Sequence, residues 1–176
     1  DGFRCDYAEG VPQDFWTEAL AYLRTLDSDI ILLAEGDKSW IYEVGFDVMY
    51  AWSFPGTLEN VFGGKGGAAT LFEAFNKDMS NVPEGKTRMR YIINHDTASE
   101  ESPISRYGGE RGAMAAFVTA TMLEGCPLIY SSQEIGYSKS LSFFSNNVMK
   151  WDSNKAYTEE YIKVMQAFNS TRDVRV

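Results

Sequence analysis

The stretch Asp29-Ile30-Ile31-Leu32-Leu33-Ala34-Glu35 decides the fold class, because it is a short continuous apolar run that ends in a carboxylate. A strand that is apolar on both faces is typical of a parallel sheet covered by helices. Apolar residues before the run recur at helical spacing from Phe15 to Leu26, which predicts an amphipathic helix with Asp14 as its N-cap. The run and the helix before it therefore indicate an α/β protein.

The alternation of strand and helix continues along the chain. Further strands are predicted at residues 2–6, 45–50, 88–93 and 127–130, and further helices within residues 51–81, at 111–123 and at 157–169. About five strand–helix units predict a parallel sheet with right-handed crossovers. The glycine cluster at residues 63–67 lacks the preceding strand and the Lys-Ser/Thr pair of a phosphate-binding loop, so we interpret it as a surface loop.

Length and charge limit the classes of protein that the chain can belong to. Its 176 residues suit one domain, taken here as residues 1–176. It carries 25 acidic and 16 basic side chains, a formal net charge of −9. This charge argues against a nucleic-acid partner and against an anionic membrane surface, since both need basic residues. No apolar run reaches the roughly 18–20 residues of a membrane span.

Cysteine and histidine are too few for a metal centre of the usual kinds. The two cysteines, Cys5 and Cys126, lie far apart and have no C-x-x-C partner, and His95 is the single histidine. A disulfide framework and a zinc site are therefore excluded, and buried structural thiols are expected. We predict no metal ligand in this chain.

Three carboxylates follow predicted strands: Asp6, Glu35 and Asp96. In a sheet whose strands all lead into helices, the carboxyl ends of the strands lie at one edge, and active sites of α/β proteins occur there. A single acid at such a position can be a helix cap or an ion-pair partner. Three of them, beside Arg4 and His95, favour an active site.

The positions of Asp6 and Glu35 indicate a type of chemistry. They end consecutive strands, which are expected to be neighbours about 4.8 Å apart. Such closeness fits a retaining glycosidase, whose two carboxyl groups stand about 5–5.5 Å apart. Arg4 lies two residues before Asp6 and so on the same strand face, where its charge favours an ionised, nucleophilic carboxylate. Glu35 ends an apolar strand, so we expect it to be less hydrated and suited to general acid catalysis.

Four segments resemble motifs of the α-amylase family of glycoside hydrolases, and together they cover nearly the whole chain. Asp1-Gly2-Phe3-Arg4-Cys5-Asp6 resembles the family's fourth-strand signature, Ala34-Glu35-Gly36 its fifth-strand acid, Asn94-His95-Asp96 its seventh-strand motif, and Gly125-Cys126-Pro127-Leu128-Ile129-Tyr130 with Gln133-Glu134-Ile135-Gly136 its eighth-strand segment. The resemblance implies a partial (β/α)8 TIM barrel of about five parallel βα units, from the fourth strand to the final barrel helix.

The resemblance also implies a role for each residue of the predicted site. Asp6 would be the nucleophile, Glu35 the acid/base, and Asp96 a transition-state stabiliser assisted by His95, while Arg4 would hold the nucleophile in place. The implied activity is retaining hydrolysis of α-linked glucans, starch or maltooligosaccharides, through a covalent glycosyl-enzyme. A transglycosylase of the same family stays open as an alternative. So does a non-catalytic carbohydrate-binding relative, although such a relative would be expected to lack one of the acids.

Two departures from the family pattern qualify these expectations. The family's barrel has eight strands, so we expect this chain to be a truncated catalytic domain, inactive alone and able to self-associate through open sheet edges. Many family amylases also carry Lys-His three and four residues beyond the nucleophile, where this chain has Glu9 and Gly10. Acceptor contacts and a calcium site that depend on this pair are therefore not supported within this chain, whereas a calcium ion in the full-length enzyme stays open. We expect no cofactor to be required within this chain.

A few other side chains have both a structural and a functional interpretation. Trp40 either stacks on a sugar face or packs in the core. Gln133 and Glu134 either line the rim or form hydrogen bonds within their loop, and Tyr7 stays open in the same way. The location of the protein is unknown; the family resemblance favours an extracytoplasmic one, whether secreted, periplasmic or on the cell surface.

Overall fold

Five short strands form one parallel sheet, in the order in which they occur in the chain, in a computed structural model that describes residues 1–171. The strands are β1 (Gly2–Cys5), β2 (Ile31–Ala34), β3 (Val48–Tyr50), β4 (Thr87–Arg90) and β5 (Cys126–Pro127). Each pairs in parallel only with its sequence neighbours, so β1 and β5 are the two edges of an open sheet within these residues. The predicted α/β class and the five parallel strands are confirmed.

Helices follow the strands and cover one face of the sheet. They are α1 (Gln13–Leu26), α2 (Trp40–Glu43), α3 (Phe54–Phe62), α4 (Ala68–Met79), α5 (Pro103–Arg106), α6 (Glu110–Met122) and α7 (Lys155–Ser170), with short 3-10 helices at Ala8–Gly10, Thr97–Ser99 and Gln133–Ile135. In the part of the chain that the structure describes, every helix is too short or too polar to cross a membrane. Because all five strands run parallel, their carboxyl ends lie at one edge of the sheet, as predicted.

Several local predictions are corrected by the structure. The thiols are not both buried, because Cys5 is half-buried and Cys126 is exposed, and the strand predicted at residues 127–130 is only Cys126–Pro127. Asp14 is not the N-cap of α1, because the helix begins one residue earlier, at Gln13, and Pro12 occupies the cap position with its φ of −56°. The predicted strand at residues 88–93 ends at Arg90, because a turn then forms around Asn94. The Asn94 side-chain oxygen accepts hydrogen bonds from the backbone N–H and the hydroxyl of Thr97, both at 3.0 Å.

The register of the strands assigns side chains to the two faces of the sheet. Arg4 is level with Leu33, and Leu33 with Val48, so these three residues share what we call the inner face. Tyr50, two residues after Val48, lies on it as well and is buried in a cluster with Met89. We call the opposite, helix-covered side the outer face. It carries the two larger hydrophobic clusters, which pack β2 and β3 against α1 and α2, and α3 against α6 and α7.

Arg88 and Arg90 project to the outer face, where both form ion pairs with Asp78 of α4. The side chain of Arg90 is fully buried; its burial lowers the pKa of the guanidinium, and the charge of Asp78 opposes that lowering. Gly125 makes room for this arginine. A Cβ at that position would lie 2.6 Å from Cγ of Arg90, and its φ of +144° is unfavourable for other residues.

Candidate active site

Asp6 and Glu35 occupy equivalent places at the ends of adjacent strands. Cys5 of β1 is level with Ala34 of β2, so the next residue of each strand carries a carboxylate at the same height. The backbone N–H of Glu35 donates to the carbonyl of Cys5 at 3.0 Å, and the N–H of Ala8 donates to the carbonyl of Glu35 at 3.0 Å. The prediction that these two strands are adjacent in the sheet is therefore confirmed.

Arg4 joins the two carboxylates. Its Nη1 forms an ion pair with Oδ1 of Asp6, and its Nη2 lies 2.9 Å from Oε2 of Glu35. Its Nε donates to the hydroxyl of Tyr50 at 3.2 Å, so three different groups fix the guanidinium. The planar, forked donor set of arginine suits such a bridge. The predicted contact between Arg4 and Asp6 is confirmed.

The surroundings of the two carboxylates differ. The side chain of Asp6 is 78% exposed and that of Glu35 is 17% exposed. The hydrogen bond from Arg4, and then the charge of Arg4, hold the pKa of Asp6 below its ordinary value. Asp6 is thus an ionised, accessible carboxylate, whereas Glu35 is largely withdrawn from water. The two carboxylates therefore differ in their access to water, although they share the guanidinium of Arg4.

The residue after Asp6 has a strained backbone. Tyr7 adopts φ 44° and ψ 48°, the left-handed conformation, which costs a residue with a Cβ roughly 1–3 kcal/mol. This conformation directs its N–H towards Glu35, and the N–H donates to Oε2 at 2.9 Å. Glu35 therefore accepts from the Tyr7 backbone and from Arg4 through the same oxygen.

His95 and Asp96 reach the site from β4, on the other side of β3. His95 Nε2 lies 3.3 Å from Oδ1 of Asp96. One nitrogen or oxygen from each of His95, Asp96 and Glu35 lies within 4.8 Å of the others. The buried turn of Asn94 precedes both residues and sets the path of this loop. The structure thus brings together Arg4 and all the other predicted site residues except Trp40.

The cluster of Glu35, His95 and Asp96 is the place within residues 1–171 where three possible metal ligands meet. Calcium takes six to eight oxygen ligands, whereas this cluster offers two carboxylates and an imidazole. The guanidinium of Arg4 also lies 2.9 Å from Glu35 and already compensates its charge. This cluster therefore offers fewer oxygen ligands than a calcium ion takes.

Glu9 and Gly10, at the positions where the family pattern differs, have structural contacts. The Glu9 carboxylate accepts a hydrogen bond from the backbone N–H of Asp37 and lies against Gly36. It thereby ties the loop after β1 to the loop after β2. Gly10 packs against the ring of Tyr7, where a Cβ would lie 2.1 Å from Cε1 of that ring.

The sequence predictions missed an aromatic wall between the acids. Trp52 stacks on Tyr50, with ring centres 4.9 Å apart and an angle of 20°, and stands edge-on to Tyr91 at 6.3 Å. Its side chain remains 37% exposed. The alternation of Val48, Tyr50 and Trp52 is the signal that places this tryptophan on the inner face beyond the end of β3.

Trp40 and Gln133 make contacts within the fold: the first packs against the core, and the second forms a hydrogen bond in its loop. Trp40 begins α2 and packs, half-buried, against the outer-face cluster that contains Ile41. Gln133 is buried, and its side-chain oxygen accepts from the N–H of Tyr130 at 3.2 Å. Sugar contacts by Trp40 stay a prediction that has no geometric support here.

Several known proteins are similar to this chain in sequence or in architecture, although no protein-family model matches it. It is 37% identical over 143 residues to α-amylase MalA of Haloarcula japonica, which covers 77% of this chain and 20% of that protein. It is 23% identical over a 184-residue alignment to a cyclomaltodextrinase of a Bacillus species, covering 98% of this chain and 33% of the relative. The chain therefore spans a fifth to a third of the length of these relatives.

Solved structures agree on the fold. The noncanonic maltogenic α-amylase AmyB of Thermotoga neapolitana superposes with a TM-score of 0.80 at 22% identity, over 97% of this chain and 40% of that one. The cyclic α-maltosyl-(1→6)-maltose hydrolase of Arthrobacter globiformis, in complex with maltose, superposes with a TM-score of 0.80 at 21% identity, over 98% and 40%. The open parallel sheet is thus part of a TIM-barrel fold. The family is shown by the 37% identity to α-amylase MalA over 77% of this chain. The chain belongs to the α-amylase family of glycoside hydrolases.

Proposed function

We propose that the full-length protein hydrolyses α-linked glucans with retention of anomeric configuration. The observation that carries this proposal is the bridge of Arg4 between Asp6 and Glu35, two carboxylates of unequal exposure at the ends of adjacent strands. The relatives named α-amylase and cyclomaltodextrinase support an α-glucan substrate at the level of the family.

The proposed reaction has two displacements. In the first, an oxygen of Asp6 attacks the anomeric carbon, the bond from that carbon to the leaving oxygen breaks, and Glu35 gives its proton to the leaving oxygen. In the second, Glu35 takes a proton from water, the water oxygen bonds to the anomeric carbon, and the ester to Asp6 breaks. Asp96 and His95 then hydrogen-bond to sugar hydroxyls from the opposite side.

The separation of the carboxyl groups distinguishes retention from inversion. Retaining enzymes hold their two carboxyl groups about 5–5.5 Å apart, and inverting enzymes hold them about 6.5–9.5 Å apart. Adjacent strands and a shared guanidinium support the shorter distance for Asp6 and Glu35. Proton NMR of maltotriose during hydrolysis tests this point. The α-anomer should appear first, and an initial β-anomer would contradict the proposal.

The same reaction mixture also distinguishes hydrolysis from transfer. Products longer than the substrate would show that a sugar hydroxyl replaces water in the second displacement, which is the transglycosylase alternative.

The isolated chain should not be active, and it should associate. Within residues 1–171 the sheet ends in two unpaired edges, and Phe3 and Ile31 beside the β1 edge are each 57% exposed. Unpaired strands and exposed apolar side chains favour association. Light scattering on residues 1–176 should give a mass above that of one chain, and a maltooligosaccharide assay should give no turnover. A stable, active monomer would contradict this prediction.

A further inference from the structure

We propose that Tyr50 is a positioning residue for the reaction, because its hydroxyl fixes the plane of the Arg4 guanidinium and thereby the contacts of that group with both carboxylates. This inference rests on the proposed function, since it assigns a role beside Asp6 and Glu35. It concerns a buried side chain that takes no part in the displacement steps. Tyr50 belongs to β3 and Arg4 to β1, and the two residues lie 46 positions apart in the chain.

The hydroxyl of Tyr50 completes the set of contacts around the guanidinium. Arg4 directs Nη1 to Asp6, and its Nη2 lies 2.9 Å from Oε2 of Glu35. The remaining direction, that of Nε–H, ends at the Tyr50 hydroxyl at 3.2 Å. Because the guanidinium is planar, fixing the direction of Nε–H also fixes the directions of both terminal nitrogens. Without this acceptor, the plane of the group would depend only on the two carboxylates, of which Asp6 is 78% exposed.

The tyrosine itself is held from several sides. Trp52 stacks on its ring with centres 4.9 Å apart, and Tyr91 stands edge-on to it at 5.8 Å. From the outer face, Nη1 of Arg88 donates to the carbonyl of Tyr50 at 3.3 Å. Tyr50 is 4% exposed, and its strand β3 lies between β2 and β4, so this burial does not depend on either edge of the sheet. The hydroxyl therefore has a fixed place, as a group that orients another must have.

Tyr50 acts on Arg4 as a neutral acceptor. Burial raises the pKa of its hydroxyl, and the hydrogen bond and charge of Arg4 oppose that rise without cancelling it. The hydroxyl therefore keeps its proton over the whole pH range in which carboxylates titrate. The charged groups that face Asp6 or Tyr50 are Arg4, Glu35, His95 and Asp96. Loss of the hydroxyl removes no charge from this set, so its effect on the pH profile has to pass through Arg4.

Tyr50→Phe tests this role in the full-length protein, because it removes the hydroxyl and keeps the stacked ring. With maltotriose, kcat should fall about 10-fold, as for the loss of one hydrogen bond to a charged group, and KM should change less than about twofold. The acid limb of kcat/KM should move to higher pH, since a guanidinium that is less well placed lowers the pKa of Asp6 less.

Tyr42→Phe is the matched control. Tyr42 is also 4% exposed, and its hydroxyl donates to the carbonyl of Thr87 at 2.8 Å on the outer face. This variant also loses a hydrogen bond of a buried tyrosine hydroxyl, so its unfolding temperature should fall by an amount similar to that of Tyr50→Phe. Its kcat, KM and acid limb should stay at the wild-type values.

A double-variant cycle separates positioning from a general loosening of the structure. Arg4→Lys has no Nε–H, so adding Tyr50→Phe to it should lower kcat further by less than about twofold. A further loss of about 10-fold in that background would overturn the inference, because the hydroxyl would then act by a route other than Arg4. An unchanged kcat in Tyr50→Phe alone, or a KM that rises while kcat stays constant, would also overturn it.

Failure of the proposed function gives a different result. A wild type that does not turn over maltotriose, or that releases the β-anomer first, would overturn the retaining mechanism and this role with it. With an active, retaining wild type, an unfolding temperature of Tyr50→Phe far below that of Tyr42→Phe would mean that the hydroxyl serves the fold, and only the positioning role would be lost.

Discussion

Two groups of arginine and carboxylate side chains lie on opposite faces of the same sheet, in opposite surroundings. On the inner face, Arg4 bridges Asp6 and Glu35 at the open edge, and Asp6 is 78% exposed. On the outer face, Arg90 pairs with Asp78 under α4, where the two side chains are 0% and 8% exposed. The same chemical pair therefore stands at an open edge in one place and anchors a buried helix contact in the other.

The expected difference in role follows from the exposure of the two groups to water. An exposed ion pair contributes little to stability, because water competes for both charges. A buried pair has already lost its water, so removing one partner leaves an uncompensated charge in the interior. Substitutions at the inner group should therefore change activity, and substitutions at the outer group should change stability.

The largest expected effect is on activity. In the full-length protein, Asp6→Asn, Glu35→Gln and Asp96→Asn should each lower kcat roughly 10⁴-fold or more while the unfolding temperature stays close to the wild-type value. Because the three groups act in one reaction, a double variant should be hardly slower than the slower single one. Near wild-type turnover in any single variant would contradict the role given to that residue.

The next effect is on stability. Asp78→Asn should lower the free energy of unfolding by about 3–5 kcal/mol, because it leaves the buried charge of Arg90 without its partner. Urea unfolding of the full-length protein measures this loss, and Asp6→Asn is the matched exposed control. If the two variants were equally stable, the contrast between the two faces would be wrong.

A smaller effect is expected when the guanidinium of Arg4 is changed. Arg4→Lys keeps the charge but cannot hold both carboxylates, so kcat/KM should fall roughly 10- to 150-fold, the equivalent of one charge-assisted hydrogen bond of 1.5–3 kcal/mol.

The pH profile separates charge from geometry at Arg4. The hydrogen bond and charge of Arg4 lower the pKa of Asp6, so the ionised form persists to lower pH in the wild type. Arg4→Met should raise that pKa and move the acid limb of kcat/KM to higher pH, whereas Arg4→Lys should move it less. An acid limb that is identical in all three proteins would contradict this account of Asp6.

The smallest effects concern two tryptophans that extend the comparison of the faces. Trp52→Ala should raise KM for maltooligosaccharides several-fold, because its exposed ring forms the wall of the site. Trp40→Ala should leave KM unchanged and lower the free energy of unfolding by roughly 1–3 kcal/mol, less than the 3–5 kcal/mol of a fully buried aromatic. A KM effect of Trp40 without a stability effect would reverse this assignment.

The sequence predicted those features that depend on short distances along the chain. The apolar run at β2, the alternation of strands and helices, and the i, i+2 relation of Arg4 and Asp6 are all local patterns. Parallel pairing then placed Asp6 beside Glu35, because consecutive strands in such sheets are commonly neighbours.

Other features depend on contacts between distant segments, which a single sequence does not reveal. The pairing of Arg90 with Asp78 requires the packing of α4 on β4. The stacking of Trp52 on Tyr50 requires that the inner face persist beyond the end of β3, and the left-handed backbone of Tyr7 depends on Glu35 and Gly10. Trp40 stands close to Glu35 in sequence, yet α2 turns it to the other face.

Gly125 links a loop to a distant helix. Since the side chain of Arg90 passes over it on the way to Asp78, any larger residue there would push the arginine aside. A mutation in the loop before β5 would then weaken the ion pair between Arg90 and Asp78 and so destabilise the packing of α4, a helix from a much earlier part of the chain. For protein engineering, position 125 belongs with the hydrophobic core, and a library that treats it as an ordinary loop residue would lose most of its members.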